Sequence, residues 1–146
     1  MKKYLKFMIP ITLLSVMVGI YIAFENSAKA TDVNKVTFIA KVVDKGETTQ
    51  LGTVEFLVEN EITVGDVIDA INGDVLTFDL QGEKDSEYGR FIHGINDIFV
   101  EDSVNGPWWF YDSNTNSECV AVGFCSGIDQ QVIAQDDVYI FTITYE

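Results

Sequence analysis

Alternating apolar and polar positions divide the chain into short strands and one helix. Val36 to Val43 is dense in β-branched and aromatic residues and predicts a strand. Asp44-Lys45-Gly46-Glu47 supplies turn chemistry, and Thr53-Val54-Glu55-Phe56-Leu57-Val58 is expected to return as the second arm of a hairpin. The period then changes from two to 3.6. Val64, Val67, Ile68 and Ile71 fall at i, i+3, i+4 and i+7, one apolar stripe of a helix. Thr63 and Asp66 stand in capping-box spacing before it, and Asn72-Gly73 ends it. Asp66 and Asp69 lie off the stripe and are expected to face water. Beyond the helix, Val75 to Leu80 alternates again, with Leu76, Phe78 and Leu80 on one face. Gln81 to Glu87 is a polar loop. Tyr88 to Asn96 is extended, and its two glycines mark a bulge or a close backbone approach. Val138 to Tyr145, after Asp136-Asp137, is the last strand. Strand, strand, helix and then further strands is the order of an α+β domain, a mixed sheet with one packed helix.

Between the last two strands lies Gly106-Pro107-Trp108-Trp109-Phe110-Tyr111-Asp112-Ser113-Asn114, which holds both tryptophans of the chain. Gly-Pro sets a bend, because proline fixes φ and lacks an N–H. Four aromatics follow in an extended segment, so Trp108 and Phe110 face one way and Trp109 and Tyr111 the other. One pair can fill the core and the other needs a cover, which a ligand or partner would supply. A central strand buried on both faces is the alternative. Trp108, beside the Pro107 bend, is expected to be structural, and Trp109, sharing a face with Tyr111, to meet the ligand. A bulge after Pro107 would exchange these faces.

Met1-Lys2-Lys3-Tyr4-Leu5-Lys6 is a basic start, and Phe7 to Phe24 is an 18-residue run, apolar apart from Thr12 and Ser15. Ala28-Lys29-Ala30 suits signal peptidase, which takes small side chains at −3 and −1. The run is also just long enough to span a bilayer. Residues 1–30 therefore read as a signal peptide cleaved after Ala30 or as an uncleaved anchor. Either way residues 31–146, one domain, lie outside the cytoplasm, secreted or at the cell surface. That part carries 5 Lys and Arg against 22 Asp and Glu. Such a balance excludes nucleic acid and anionic lipid as partners, since both need a basic face. Contact with a membrane is left to the N-terminal segment.

Catalytic signatures are sparse. His93 is the one histidine, and a Cys–His pair with Cys119 or Cys125 is the only nucleophile arrangement to weigh. No Gly-x-Ser-x-Gly, His-Glu-x-x-His or phosphate loop occurs. Asp112-Ser113-Asn114-Thr115-Asn116 starts like a calcium loop, but the sixth position is Ser117 and the twelfth is Gly123 in place of the bidentate Glu. Turn chemistry is the better account, and no metal site is expected. The cysteines pose a geometric choice. A straight strand would put Cys119 and Cys125 roughly 20 Å apart, whereas a disulfide needs Cα atoms about 4.4–6.8 Å apart. The segment is either a folded-back loop clipped at its base or a strand with two buried thiols. Loop residues on both sides favour the clip.

Five segments occur in a fixed order: Thr63-Val64-Gly65-Asp66-Val67-Ile68-Asp69-Ala70-Ile71, Gly89-Arg90-Phe91-Ile92-His93-Gly94-Ile95-Asn96, Trp108-Trp109-Phe110-Tyr111, Gly127-Ile128-Asp129 and Gln135-Asp136-Asp137-Val138-Tyr139-Ile140-Phe141. In this order the chain from Val36 onward resembles the transcobalamin C-terminal-like family. Asp112-Ser113-Asn114 stands where that family has Asn-Gly. The resemblance implies a β-grasp-like extracellular domain. In the animal vitamin B12 carriers such a domain closes over the corrinoid. It thus implies a non-catalytic binding module, with a cobalamin-like or other amphipathic small molecule as its ligand and no cofactor fixed by the residues. Trp109 and Tyr111, or Trp108 and Phe110, would stack on that ligand, with polar contacts from Ser126-Gly127-Ile128. The second reading is a surface protein-interaction domain that uses the same aromatics as its anchor. N-terminal sequencing of the extracellular protein is expected to begin at Thr31; a retained Met1 would make the segment an anchor.

Overall fold

The computed structural model describes residues 34–73 and 75–146. The leader expected over residues 1–30 lies outside them. Strand β1 (Asn34–Asp44) and strand β2 (Glu47–Val58) form a hairpin in antiparallel register, Asp44 opposite Glu47. Lys45 and Gly46 have φ of 48° and 85°, the left-handed pair that a two-residue turn between twisted strands requires. β2 starts six residues earlier than its apolar pattern predicts. Thr48, Thr49 and Gln50 pair along β1 although polar, because an edge strand carries its polar side chains into water. A bulge between Ala40 and Lys41 absorbs one residue of β2.

Helix α1 (Val64–Ile71) follows the hairpin. Its capping box is complete: the Thr63 hydroxyl accepts from Asp66 N at 3.2 Å, and Asp66 Oδ2 accepts from Thr63 N at 2.9 Å. Val64, Val67, Ile68 and Ile71 are buried as the stripe predicts. Burying each such side chain is worth about 1.5–3 kcal/mol. Asn72 ends the helix by pairing its side-chain amide with Phe78, donating to the carbonyl at 3.1 Å and accepting from N–H at 2.5 Å. The helix end is thereby fixed to strand β3 (Phe78–Gln81). Asp66 and Asp69 do not simply face water. Lys84 Nζ lies 2.8 Å from Asp66 and 3.1 Å from Asp69, and Arg90 lies 2.8 Å from Asp69. The spacing of the helix cannot show these partners, which arrive from the loop after β3.

β3 joins strand β4 (Phe91–Ile95) and strand β5 (Ile98–Phe99) in a three-stranded antiparallel sheet. The close approach marked by Gly94 is real: a Cβ there would stand 2.3 Å from the Phe99 ring. Strand β6 (Phe110–Asp112), the short helix α2 (Ser117–Val122) and strand β7 (Val138–Tyr145) complete the chain. The four-stranded sheet has the order β2-β1-β7-β6, with β7 parallel to β1 and antiparallel to β6. A hairpin, a helix and a closing strand laid parallel to the first give a β-grasp-like mixed sheet. The fold is α+β, as the alternation predicts, with a second helix and a second sheet in addition. Phe38, Phe78, Tyr139 and Phe141 meet edge-to-face at its centre, the Phe78 and Phe141 rings 5.1 Å apart.

The cap carries a pH signature. The Lys84 ammonium, and then the Thr63 N–H, hold the Asp66 carboxyl down at about 2, from an ordinary value of 3.8. A carboxylate more acidic in the fold than in the unfolded chain stabilises above its unfolded value, and that contribution is lost as pH falls from about 4 to about 2. Thr63→Ala is expected to cost about 1 kcal/mol at pH 7 and to move the Asp66 titration upward. Urea melts and NMR titration of the carboxyl carbon check both; an unmoved titration would remove the Thr63 hydroxyl, which also donates to Asp66 Oδ2 at 2.9 Å, from the account and leave Lys84 and the Thr63 N–H.

Candidate functional site

The register of β6 decides which aromatics point inward. Tyr111 sits opposite Phe141, and directly paired residues of an antiparallel ladder share a face. Tyr139, Phe141 and Ile143 make up the buried face of β7. Tyr111 must therefore point in, and alternation takes Trp109 with it. This reverses the assignment made from the Pro107 bend. Trp109 is 6% exposed and belongs to the core, whereas Trp108 is 40% and Phe110 67% exposed. Trp108 folds back on its own loop, its Nε1 donating to the Ser103 carbonyl at 3.2 Å. Gly106 (φ 76°) makes room for it, since a Cβ would come within 2.7 Å of the indole. Trp109 instead donates to the Ile98 carbonyl at 3.0 Å, which joins β6 to the second sheet.

Beside β6 lies an open cleft of about 410 Å³. Buried Trp109, Ile92 and Ile128 and half-buried Tyr111 form its floor. Tyr88, Arg90 and Phe91 come from the segment entering β4, and Phe124, Cys125 and Gly127 from the segment after α2. Phe110 borders the cleft and also a second concavity of about 500 Å³, formed with Gly106, Pro107, Trp108 and Tyr145. Of the ligand contacts expected from the sequence, Trp109, Tyr111, Gly127 and Ile128 line one cleft. Ser126 does not line the cleft; its carbonyl accepts the Tyr111 hydroxyl behind it. Trp108 lies outside, in the second concavity. Phe91, Phe124, Tyr88 and Arg90 were not anticipated. Phe91 and Phe124 are exposed aromatics in short apolar runs, and only the folded chain brings them together.

The floor aromatics are held firmly. The Tyr111 ring stacks on Phe141 at 5.6 Å and 21°. Burial, and next the charge of Asp129, push its phenol well above the usual tyrosine range, so it stays neutral. Arg90 donates to Asp129 through Nε and Nη2, at 2.7 Å in the shortest contact, and its backbone N–H adds a bond of 2.8 Å. Burial disfavours the Asp129 carboxylate, but Arg90 outweighs it and the net shift is downward. Arg90 is raised further above its ordinary value by Asp129 and then by Asp69.

The wall after α2 is fixed by a disulfide. Cys119 and Cys125 are bridged, with Cα atoms 4.4 Å apart. The intervening residues form one helical turn closed by Gly123 in the left-handed region, so the chain doubles back as the clip reading requires. Closing so short a ring is worth roughly 2.4 kcal/mol of chain entropy. The Cys–His arrangement has no thiol, and His93 is paired with Asp79 at 2.6 Å. Three side chains of the calcium-like stretch, Asp112, Ser113 and Asn116, have oxygens engaged locally. Asp112 accepts from Ser113 N, Ser113 Oγ accepts from Thr115 N and Asn116 N, and Asn116 caps α2.

The disulfide is consistent with a place outside the cytoplasm. Among the described residues no helix is long and apolar enough to cross a membrane. Comparison with known protein families finds no match, and no curated protein matches the sequence. Among solved structures, the fold is similar to the crystal structure of a candidate metal binding protein from Ruminococcus gnavus ATCC 29149. That likeness has a TM-score of 0.50 at 20% identity and covers 77% of this chain and 98% of the other. It bears on the fold alone.

The two tryptophans are expected to separate cleanly on truncation. Trp109→Ala removes a core side chain and should cost about 3–5 kcal/mol; Trp108→Ala, at an exposed position, should cost below about 1.5 kcal/mol. Denaturant unfolding of both variants measures this, and equal losses would contradict the register argument.

Proposed function

We propose that the domain is a non-catalytic, extracytoplasmic binding module whose ligand seats in the aromatic cleft beside β6. The observation that carries this reading is the convergence of Tyr88, Phe91, Trp109, Phe110, Tyr111 and Phe124 on one open cleft. Its size is that of a small-molecule site. Phe110 and Phe124 remain 67% and 66% exposed, an unusual outlay of aromatic surface unless something covers it. The ordered resemblance to the transcobalamin C-terminal-like family supports a cobalamin-like or other planar amphipathic ligand. The cleft fits the edge of such a ring system: it is apolar, open on one side, and its Arg90 is already paired. Among the described residues no group of three metal-ligating side chains is present. The metal binding in the neighbour's name is therefore not carried over.

A second reading has its own support. Among the described residues β6 is an edge strand, and Trp108 and Phe110 stand outward in an edge-to-face pair 6.5 Å apart. Paired exposed aromatics beside a free strand edge are what a protein partner uses as an anchor. Loss of partner capture on Trp108→Ala, with small-ligand binding intact, would favour this reading.

Tryptophan fluorescence, titrated with corrinoids, tests the first reading. Saturable quenching is expected, with Phe91→Ala, Phe110→Ala and Phe124→Ala each weakening binding about tenfold, or ~1.4 kcal/mol, at unchanged melting temperature. Quenching that survives all three substitutions would move the site elsewhere, and no quenching would remove corrinoids as the ligand class.

A further inference from the structure

We propose that the cleft selects an organic cation, an ammonium group carried on a small apolar body. This rests on the reading of the cleft as a ligand site and names the chemical class that the site takes. Among the described residues, Arg90 is the one charged side chain that lines the cleft, and its guanidinium is spent. Nη1 donates to Asp69 at 2.8 Å, Nη2 to Asp129 at 2.7 Å and to Asp69 at 3.1 Å, and Nε to Asp129 at 3.1 Å. Asp69 and Asp66 also share Lys84, so three carboxylates face two cations and the cluster keeps one net negative charge.

An incoming carboxylate or phosphate thus finds no free cation among the described residues that line the cleft. It also approaches a domain with 22 acidic residues against 5 basic ones after residue 30. Lys35, the next of those five, is paired with Glu55 at 2.5 Å. The polar ends of the floor aromatics are likewise committed: Trp109 Nε1 to the Ile98 carbonyl and the Tyr111 hydroxyl to the Ser126 carbonyl. These two residues offer a ligand π surface and no donor. Aromatic rings attract cations through their quadrupole, most strongly where water is excluded. A neutral apolar guest gains only contact area from the same surfaces, and an anion is repelled by them.

Three probes of one shape separate these cases: choline, its neutral carbon isostere 3,3-dimethylbutan-1-ol, and the anion 3,3-dimethylbutyrate. Isothermal titration of the folded protein at low salt is expected to give choline an affinity about tenfold above the alcohol, with no binding of the anion. Phe110→Leu and Phe124→Leu keep the apolar bulk and remove the rings. They should reduce the advantage of choline several-fold while leaving the alcohol unchanged. Equal affinities for choline and the alcohol would overturn cation selection and leave an apolar cleft in place. Tighter binding of the anion, or choline binding untouched by both Leu substitutions, would also overturn it. Failure of all three probes overturns cation selection alone, because saturable corrinoid quenching that weakens in the Phe91, Phe110 and Phe124 variants would still mark the cleft as a site.

Discussion

The pair Arg90–Asp129 is the constraint on which the arrangement of this domain depends. Asp129 has 2% of its side chain exposed, so its charge is tolerable only with Arg90 in place. The pair brings together three segments distant in sequence: the first turn of α1, the chain entering β4, and the loop after α2. Two glycines allow the approach. A Cβ at Gly65 would lie 2.1 Å from Asp129 Oδ1, and one at Gly89 would lie 3.1 Å from the same side chain. Both walls of the aromatic cleft are therefore held by one carboxylate. Removing Arg90 would leave Asp129 buried and unpaired, a larger loss than the pair's own net contribution.

A second polar centre lies at the start of α2. Asn116 donates to Asp137 at 2.6 Å and to the Tyr139 hydroxyl at 3.1 Å, while its carbonyl oxygen accepts from Glu118 N, Cys119 N and Gln131 Nε2. Gln131 in turn accepts from Ser126 N at 3.0 Å. Among the described residues no buried side-chain N or O atom lacks a partner. A fully satisfied network of this kind specifies one conformation, since any rearrangement strands a polar group away from water. α2, too short to persist by itself, is held by this cap at its start and by the disulfide just beyond its end.

How far the sequence discloses these features follows from the range of each interaction. The helix with its capping box, the Lys45-Gly46 turn and the last strand rest on residues within a few positions of one another, and each appears where its pattern puts it. The aromatic stretch is recognisable in the sequence, and four of the six residues expected around a ligand, Trp109, Tyr111, Gly127 and Ile128, line one cleft. The choice of face was not legible. It is made by the pairing of Tyr111 with Phe141, thirty residues away, and no local pattern encodes that register. Arg90 and Asp129, 39 positions apart, are hidden for the same reason, though an acidic domain with so few cations makes each cation worth tracing. Phe91 and Phe124 look unremarkable in sequence because their exposure becomes informative only once they are neighbours.

The pairing of β1 with β7 has a temporal side. Thr37 aligns with Val138, so the two central strands of the main sheet come from opposite ends of the domain. Closing a loop of that length precedes any gain from the contacts it brings, and topologies of this kind assemble late and all at once. Until β7 arrives, the β1–β2 hairpin leaves Val36, Phe38 and Ala40 uncovered, and α1 has no completed sheet to rest on. The domain therefore has little native structure to lose or gain by halves. β7 is the latch of the fold, since the main sheet closes only when that strand docks beside β1.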